Sequence, residues 1–235
     1  MKTSRLIKLT FVALVLGIST ISCSQDETTS NVENGEGCHK GHTFVDLGLS
    51  VKWATCNVGA ASPEDYGDYY AWGETETKST YSWWWSTTTY KWCKGTSDTL
   101  TKYCTSSRYG TVDNKTVLDP EDDVAHVKWG GSWRMPTSTE IEELIKKCTW
   151  TWTAQSGIMG YKVTSKSNDN YIFLPAAGWY GNSSLGGVGA NGNYWPASLD
   201  ESSPDHAWYV YFNSSGVSRR SLSRNFGYPV RPVCP

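Results

Sequence analysis

Apolar positions along the chain fall into short runs rather than long stripes. Val51–Cys56 and Ala207–Phe212 have the β-branched and aromatic character of strands, and Tyr171–Pro175 is an apolar run of buried-strand length. Glycine and asparagine punctuate the sequence between such runs. Helical spacing is clear once: Thr137 precedes Glu140 as a capping box, and Ile141, Leu144, Ile145 and Cys148 recur on one face behind it. A second, shorter helix is predicted over Asp119–Val127, with Asp119 as N-cap, Pro120 at the first helical position and acids in the first turn; Gly130-Gly131 stops it. Two helices midway and strands filling the C-terminal half predict an α+β domain.

The first residues read differently. Lys2, Arg5 and Lys8 lead into the apolar run Leu9–Ile18, and small residues precede Cys23. That is the pattern of a secretory signal over 1–22, too short to span a bilayer. Thr20-Ile21-Ser22-Cys23 resembles a bacterial lipobox, with Thr where Leu is usual, which implies lipidation of Cys23 and membrane attachment through the acyl chains. Ser24-Gln25-Asp26-Glu27 resembles the acidic signal that sends lipoproteins of Bacteroidota to the outer face of the outer membrane. Residues 23–37 are polar and predict a flexible tether ahead of one domain over 38–235.

Composition narrows the classes of partner. Thirteen Trp and fourteen Tyr against five Phe favour rings with a polar tip, suited to rims and half-buried sheet faces. From Cys23 onward 18 basic side chains face 23 acidic ones, a balance of −5 that argues against nucleic acid. With Cys23 assigned to lipid, six cysteines remain, an even count that favours disulfides in an exported chain and allows 15 connectivities. There is no Cys-x-x-Cys, and His39, His42, His126 and His206 stand at no zinc-ligand spacing, so neither a metal nor another cofactor is expected.

Phe44–Ala60, Tyr69–Glu74, Leu118–Asp123, Trp133–Thr137, Phe173–Gly178, Tyr194-Trp195 and Pro229–Val233 together resemble, in order, the Fibrobacter succinogenes major paralogous domain of exported proteins and lipoproteins in Bacteroidota. The resemblance implies a C-type-lectin-like fold whose chain ends pair as neighbouring strands. It brings Cys38 near Cys234, and with Cys93 and Cys104 flanking a short loop it leaves Cys56 for Cys148. The expected disulfides are therefore Cys56–Cys148, Cys93–Cys104 and Cys38–Cys234.

The calcium-and-sugar tripeptides of lectin loops do not occur in the chain, and Glu121-Asp122-Asp123 reads as a helix start. Met135–Glu140 echoes a helix start of formylglycine-generating oxidases, but no nucleophile signature or acid-paired histidine accompanies it, so no enzyme is expected. Recognition without chemistry remains. Trp179, Tyr180, Asn182, Tyr194, Trp195, Trp208, Tyr211 and Asn213 combine flat rings with amides and hydroxyls, and Arg219, Arg220 and Arg224 suit acidic groups on a glycan or protein ligand. Trp208 and Tyr211 must point to opposite faces of one strand. A structural subunit of a surface assembly, or a variable target of a diversity-generating retroelement, is the alternative. Arg231 is expected to bond inside the fold.

Overall fold

The computed structural model describes residues 29–30, 33–82 and 84–235. Frequent turn residues keep its strands short, and the strands assemble into several small antiparallel sheets. The first sheet has the order β1-β2-β3-β4-β13, from β1 (Thr29–Ser30), β2 (Glu36–His39), β3 (His42–Val45), β4 (Lys52–Ala54) and β13 (Val233–Cys234). A second holds β5 (Cys148–Gln155), β6 (Ile158–Ser165) and β7 (Tyr171–Pro175). β8 (Trp179–Gly181) and β9 (Ser184–Gly186) form a hairpin, and β10 (Asn191–Tyr194), β11 (His206–Asn213) and β12 (Gly216–Ser223) form a third sheet of three strands.

Strands account for 36% and helices for 10%, with one helix of seven residues or more, so the fold is mostly β and the α+β expectation is corrected. A C-type-lectin-like fold is not what these sheets show. The C-terminal strand β13 pairs with β4, Val233 opposite Trp53, and not with the first strand. Apart from a 3-10 turn at Glu33–Gly35, the helices lie within 120–147, while the described residues of 55–119 carry no regular helix or strand and are held by isolated bridges such as Tyr70–Tyr228 and Tyr81–Asn182.

The stronger helix forms as its sequence dictates. α2 (Ser138–Lys147) has both halves of the capping box: Glu140 N donates to Thr137 Oγ1 at 3.3 Å, and Thr137 N donates to the Glu140 carboxylate at 2.7 Å. The weaker one divides. Pro120–Asp122 is a single 3-10 turn, and α1 (Val124–Trp129) starts anew because the Asp123 carboxylate accepts from Ala125 N and His126 N. A side chain that offers the backbone a local acceptor interrupts a helix as readily as it starts one. The predicted tether is also shorter than expected. Asn34 exchanges two hydrogen bonds with the backbone of Tyr171, at 3.0 and 2.8 Å, and β1 pairs with Gly37 and Cys38. The folded unit thus reaches back past residue 38; residues 1–22 and Cys23 lie outside the described residues.

Two cores share the third sheet. Val210 and Phe212 of β11 pack with Val45, Trp53, Leu144 and Ile172 in the first. Ala207 and Tyr209, on the other face of the strand, pack with Trp72, Met135, Trp195 and Tyr228 in the second. Gly192 opposite Phe212 has no side chain for a reason: a Cβ there would lie 1.9 Å from the ring. Four of the described tryptophans and eight of the tyrosines are buried in the cores, and the others are half-buried, apart from the exposed Trp84. Three of the buried ring nitrogens meet carbonyls: Trp72 Nε1 donates to Pro196 O at 2.8 Å, Trp195 Nε1 to Tyr70 O at 3.0 Å, Trp133 Nε1 to His39 O at 2.9 Å. Tyrosine hydroxyls do the same for the irregular segment, Tyr90 donating to Trp72 O at 2.8 Å.

Arg231 is fully buried and has no carboxylate partner among the described residues. Its guanidinium donates to Asn57 Oδ1 at 2.8 Å, Ala54 O at 3.0 Å, Thr55 O and Phe173 O at 2.9 Å, and so joins the end of β4 to β7.

The expected disulfides do not form. Cys56, Cys93, Cys104, Cys148 and Cys234 are free thiols, so none of the three expected pairs is made. Cys38 and Cys234 belong to strands with β3 and β4 between them, about 14 Å apart at the usual strand spacing, whereas a disulfide needs Cα atoms within about 7 Å. Cys93 and Cys104 share one aromatic cluster, but each sulfur is turned to a carbonyl, Cys93 to Ser86 O at 3.4 Å and Cys104 to Ser106 O at 3.1 Å. Cys148 packs under α2 in the first core, while Cys56 lies beyond β4 beside Thr55. Burial pushes the Cys148 and Cys234 thiols up to about 11.

Two outcomes are expected. Alkylation of the unfolded chain without reductant should label Cys56, Cys93, Cys104, Cys148 and Cys234, as read by peptide mapping. Arg231→Met should cost about 3–5 kcal/mol, since it strips the donor from four buried acceptors, measured as a lower urea midpoint at unchanged slope.

Candidate ligand-binding site

The residues expected to bind a ligand have three different fates. Tyr194, Trp195 and Arg224 are buried. Tyr194 donates to Pro175 O at 2.7 Å, and Arg224 donates to Tyr103 O at 3.0 Å with its guanidinium near the rings of Trp72 and Tyr90. Burial lowers the Arg224 pKa. Trp179 packs edge-on against Phe226, Tyr180 lies between Tyr69 and Tyr81, and the Asn182 backbone pairs with Tyr81 at the turn between β8 and β9. Trp208 and Arg219 face α2: the guanidinium lies 4.0 Å over the indole, donates to Ser138 Oγ at 2.6 Å and pairs with Glu142 at 2.7 Å. All of these serve the fold.

What is left converges at the outer end of the third sheet. Pairing sets Asn191 opposite Asn213, Tyr211 opposite Ser218 and Tyr209 opposite Arg220, which puts these side chains on one face. Tyr211 donates to Asn191 Oδ1 at 3.2 Å and accepts from Asn213 Nδ2 at 3.1 Å. Arg220 is exposed; its guanidinium stacks 3.9 Å from the Tyr211 ring centre, and its Nε donates to Ser218 Oγ at 3.2 Å. It also bonds the Tyr209 hydroxyl, whose pKa burial raises. No carboxylate lies within ion-pair distance of it among the described residues. Asn191 and Ser218 were not legible as site residues; strand register alone brings them in.

Residues 136–233 match the model of a domain of unknown function, DUF8237. The match runs from the start of α2 to β13, so it holds the whole Arg220 patch, whereas the irregular segment lies outside it. No curated protein and no solved structure matches the chain.

Two other features carry charge. Asp119, Glu121 and Asp122 form a tight acidic group, but the Lys102 ammonium sits among them, 2.6 Å from Asp119, 2.6 Å from Asp122 and 3.4 Å from Glu121. A side-chain cation already does there what a metal would. A cavity of about 520 Å³ lies beside Trp133, yet its reactive groups are committed. Arg134 grips Glu140 with both terminal nitrogens, Asp123 accepts three backbone N–H bonds, and His126 Nδ1 lies 3.3 Å from Trp133 O.

Burial alone would push the Asp122 carboxyl up, but bonds from Lys102, Tyr103 and Lys91 outweigh it and hold the pKa below the ordinary range. A depressed folded pKa adds stability above the unfolded value and loses it as pH falls through the folded one. Asp122→Asn should therefore cost about 3 kcal/mol at neutral pH, with the gap closing as the pH falls below about 4, read from urea midpoints across pH.

Proposed function

We propose that the protein recognises an acidic glycan without chemistry, through the patch of Arg220, Tyr211, Asn191 and Asn213. One observation carries this reading: Arg220 is an exposed guanidinium fixed by a ring and a hydroxyl, with no carboxylate beside it among the described residues. A planar fork held in place loses little rotamer freedom when a carboxylate or sulfate docks on it in two parallel bonds. The neighbouring amides and hydroxyls match sugar hydroxyls, and the Tyr211 edge gives an apolar surface. Amides, hydroxyls and a guanidinium supply neither nucleophile nor base at neutral pH.

The location we propose is the cell surface, on a lipid attached to Cys23. The lipobox-like run and the acidic residues after it support this reading. One sulfur cannot carry both a diacylglyceryl thioether and a disulfide. An intact mass that includes the acyl chains checks the lipid on Cys23.

Purified full-length protein in detergent should bind polygalacturonate or alginate, and raising the salt should weaken binding. Arg220→Ala should lower affinity about tenfold or more, the worth of a charge-assisted hydrogen bond, and Arg220→Lys should restore only part of it. Arg219→Ala should lower stability and leave affinity unchanged. Equal binding by Arg220→Ala, or no preference for acidic over neutral polymers, would overturn the reading.

A further inference from the structure

The strand β5 (Cys148–Gln155) is an edge of the second sheet, whose order is β5-β6-β7. A two-residue turn with left-handed backbone, Ser156 at φ 49° and Gly157 at φ 82°, returns the chain into β6, so Gln155 and Ile158 exchange the first hydrogen bonds of the ladder. Thr153, Thr151 and Thr149 then turn their N–H and C=O groups to β6, and Lys147 O, in the same phase, accepts from Lys166 N at 3.1 Å. The alternate residues Trp150, Trp152 and Ala154 turn theirs outward, where they make no hydrogen bond among the described residues.

Exposed edges are ordinarily blunted by charge, proline, a bulge or brevity. Here none of these is present. The strand reads Cys-Thr-Trp-Thr-Trp-Thr-Ala-Gln, without charge, glycine or proline, and it pairs with β6 uninterrupted over all eight residues. β12, an edge of the third sheet and equally long, carries Arg219 and Arg220. The two faces of β5 also differ. Trp150 and Trp152 pack edge-on against Tyr161 at 5.5 and 5.2 Å beside the first core, while Thr149 and Thr151 are exposed on the opposite face.

A strand that joins this edge must keep both faces in phase. A second β5 does so. Laid antiparallel about a two-fold axis at Thr151, it sets Trp150 opposite Trp152 and Thr149 opposite Thr153 of the second copy, and the outward groups of Trp150 and Trp152 are the ones this register bonds. The same register sets Lys147 opposite Gln155 of the second copy. Lys147 is exposed and bonded to Glu143 at 2.8 Å. Gln155 Nε2 donates to Glu64 at 2.7 Å and Ser156 Oγ to the same carboxylate at 3.2 Å, and Glu64 pairs with no Lys or Arg among the described residues. The axis thus brings a cation at one end of the strand to an uncompensated acid at the other, twice over. We propose that β5 is a self-association edge, at which two copies of this chain join their three-stranded sheets into one continuous sheet centred on Thr151. This edge shares no residue with the Arg220 patch, so different variants test the two readings.

Residue 151 of each copy would form a non-hydrogen-bonded pair, with Cα atoms about 4.5 Å apart and within reach of a disulfide. Thr151→Cys in the full-length protein should therefore give a reducible dimer on mild oxidation, above the background set by the parent. Thr149→Cys alone should not, whereas a mixture of Thr149→Cys and Thr153→Cys should. Sedimentation equilibrium in density-matched detergent should show a dimer for the parent that dissociates on dilution. Thr151→Lys and Thr151→Glu each set like charges across the axis and should raise the dissociation constant about fivefold or more; mixed together, they should restore association. Arg220→Ala should associate as the parent does. A monomer at every concentration, which would leave the edge to a strand of another protein, would overturn the proposal. So would crosslinking of Thr149→Cys as fast as Thr151→Cys, or association of both charged variants as tight as the parent's.

Discussion

A full positive charge sits in the interior without a negative one beside it, and the arrangement around Arg231 follows from that. A buried cation is tolerated only where dipoles replace the water it has lost. Here they come from the end of β4, from Phe173 in β7 and from Asn57, whose amide in turn donates to Tyr66 O at 2.9 Å and to the Tyr194 hydroxyl at 3.3 Å. Burial lowers the Arg231 pKa, and its position among carbonyls keeps that cost tolerable. The first sheet, the second sheet and the start of the irregular segment meet at one side chain, so the register of each is fixed by the same donors.

The arginines near the C-terminus show what a sequence conveys and what it leaves out. Arg219, Arg220, Arg224 and Arg231 lie within thirteen residues and look alike in the chain. One ties a strand to a helix, two are interior, and Arg220 faces solvent with no carboxylate beside it among the described residues. Strand parity separates Arg219 from Arg220, but the fates of Arg224 and Arg231 depend on carbonyls from distant segments. Long-range partners of that kind leave no local pattern to read.

Local chemistry was legible where it was self-contained. Thr137 and Glu140 need only each other, so their capping box appears as read, and Tyr171–Pro175 becomes β7 with the same bounds. Asp119 was chosen as a cap on sequence grounds equally good, but Asp123 had a better use for its carboxylate, bonding Ala125 N, His126 N and Met135 N. The cysteine pairs failed because strand order cannot be read from an even count. The burial of Trp72 and Trp195 was not legible because the carbonyls that satisfy their ring nitrogens, Pro196 O and Tyr70 O, come from distant segments. Asn191 and Ser218 joined the site through register.

The strand β11 acts as a wall with a core on each side, Val210 and Phe212 facing one and Ala207 and Tyr209 the other. Neither core can loosen while its neighbour stays intact, since each would have to release the same backbone. Cooperativity is thereby built into one element: the two halves share a single unfolding event rather than opening in turn. Arg220, paired opposite Tyr209 on that wall, keeps its place until that single event.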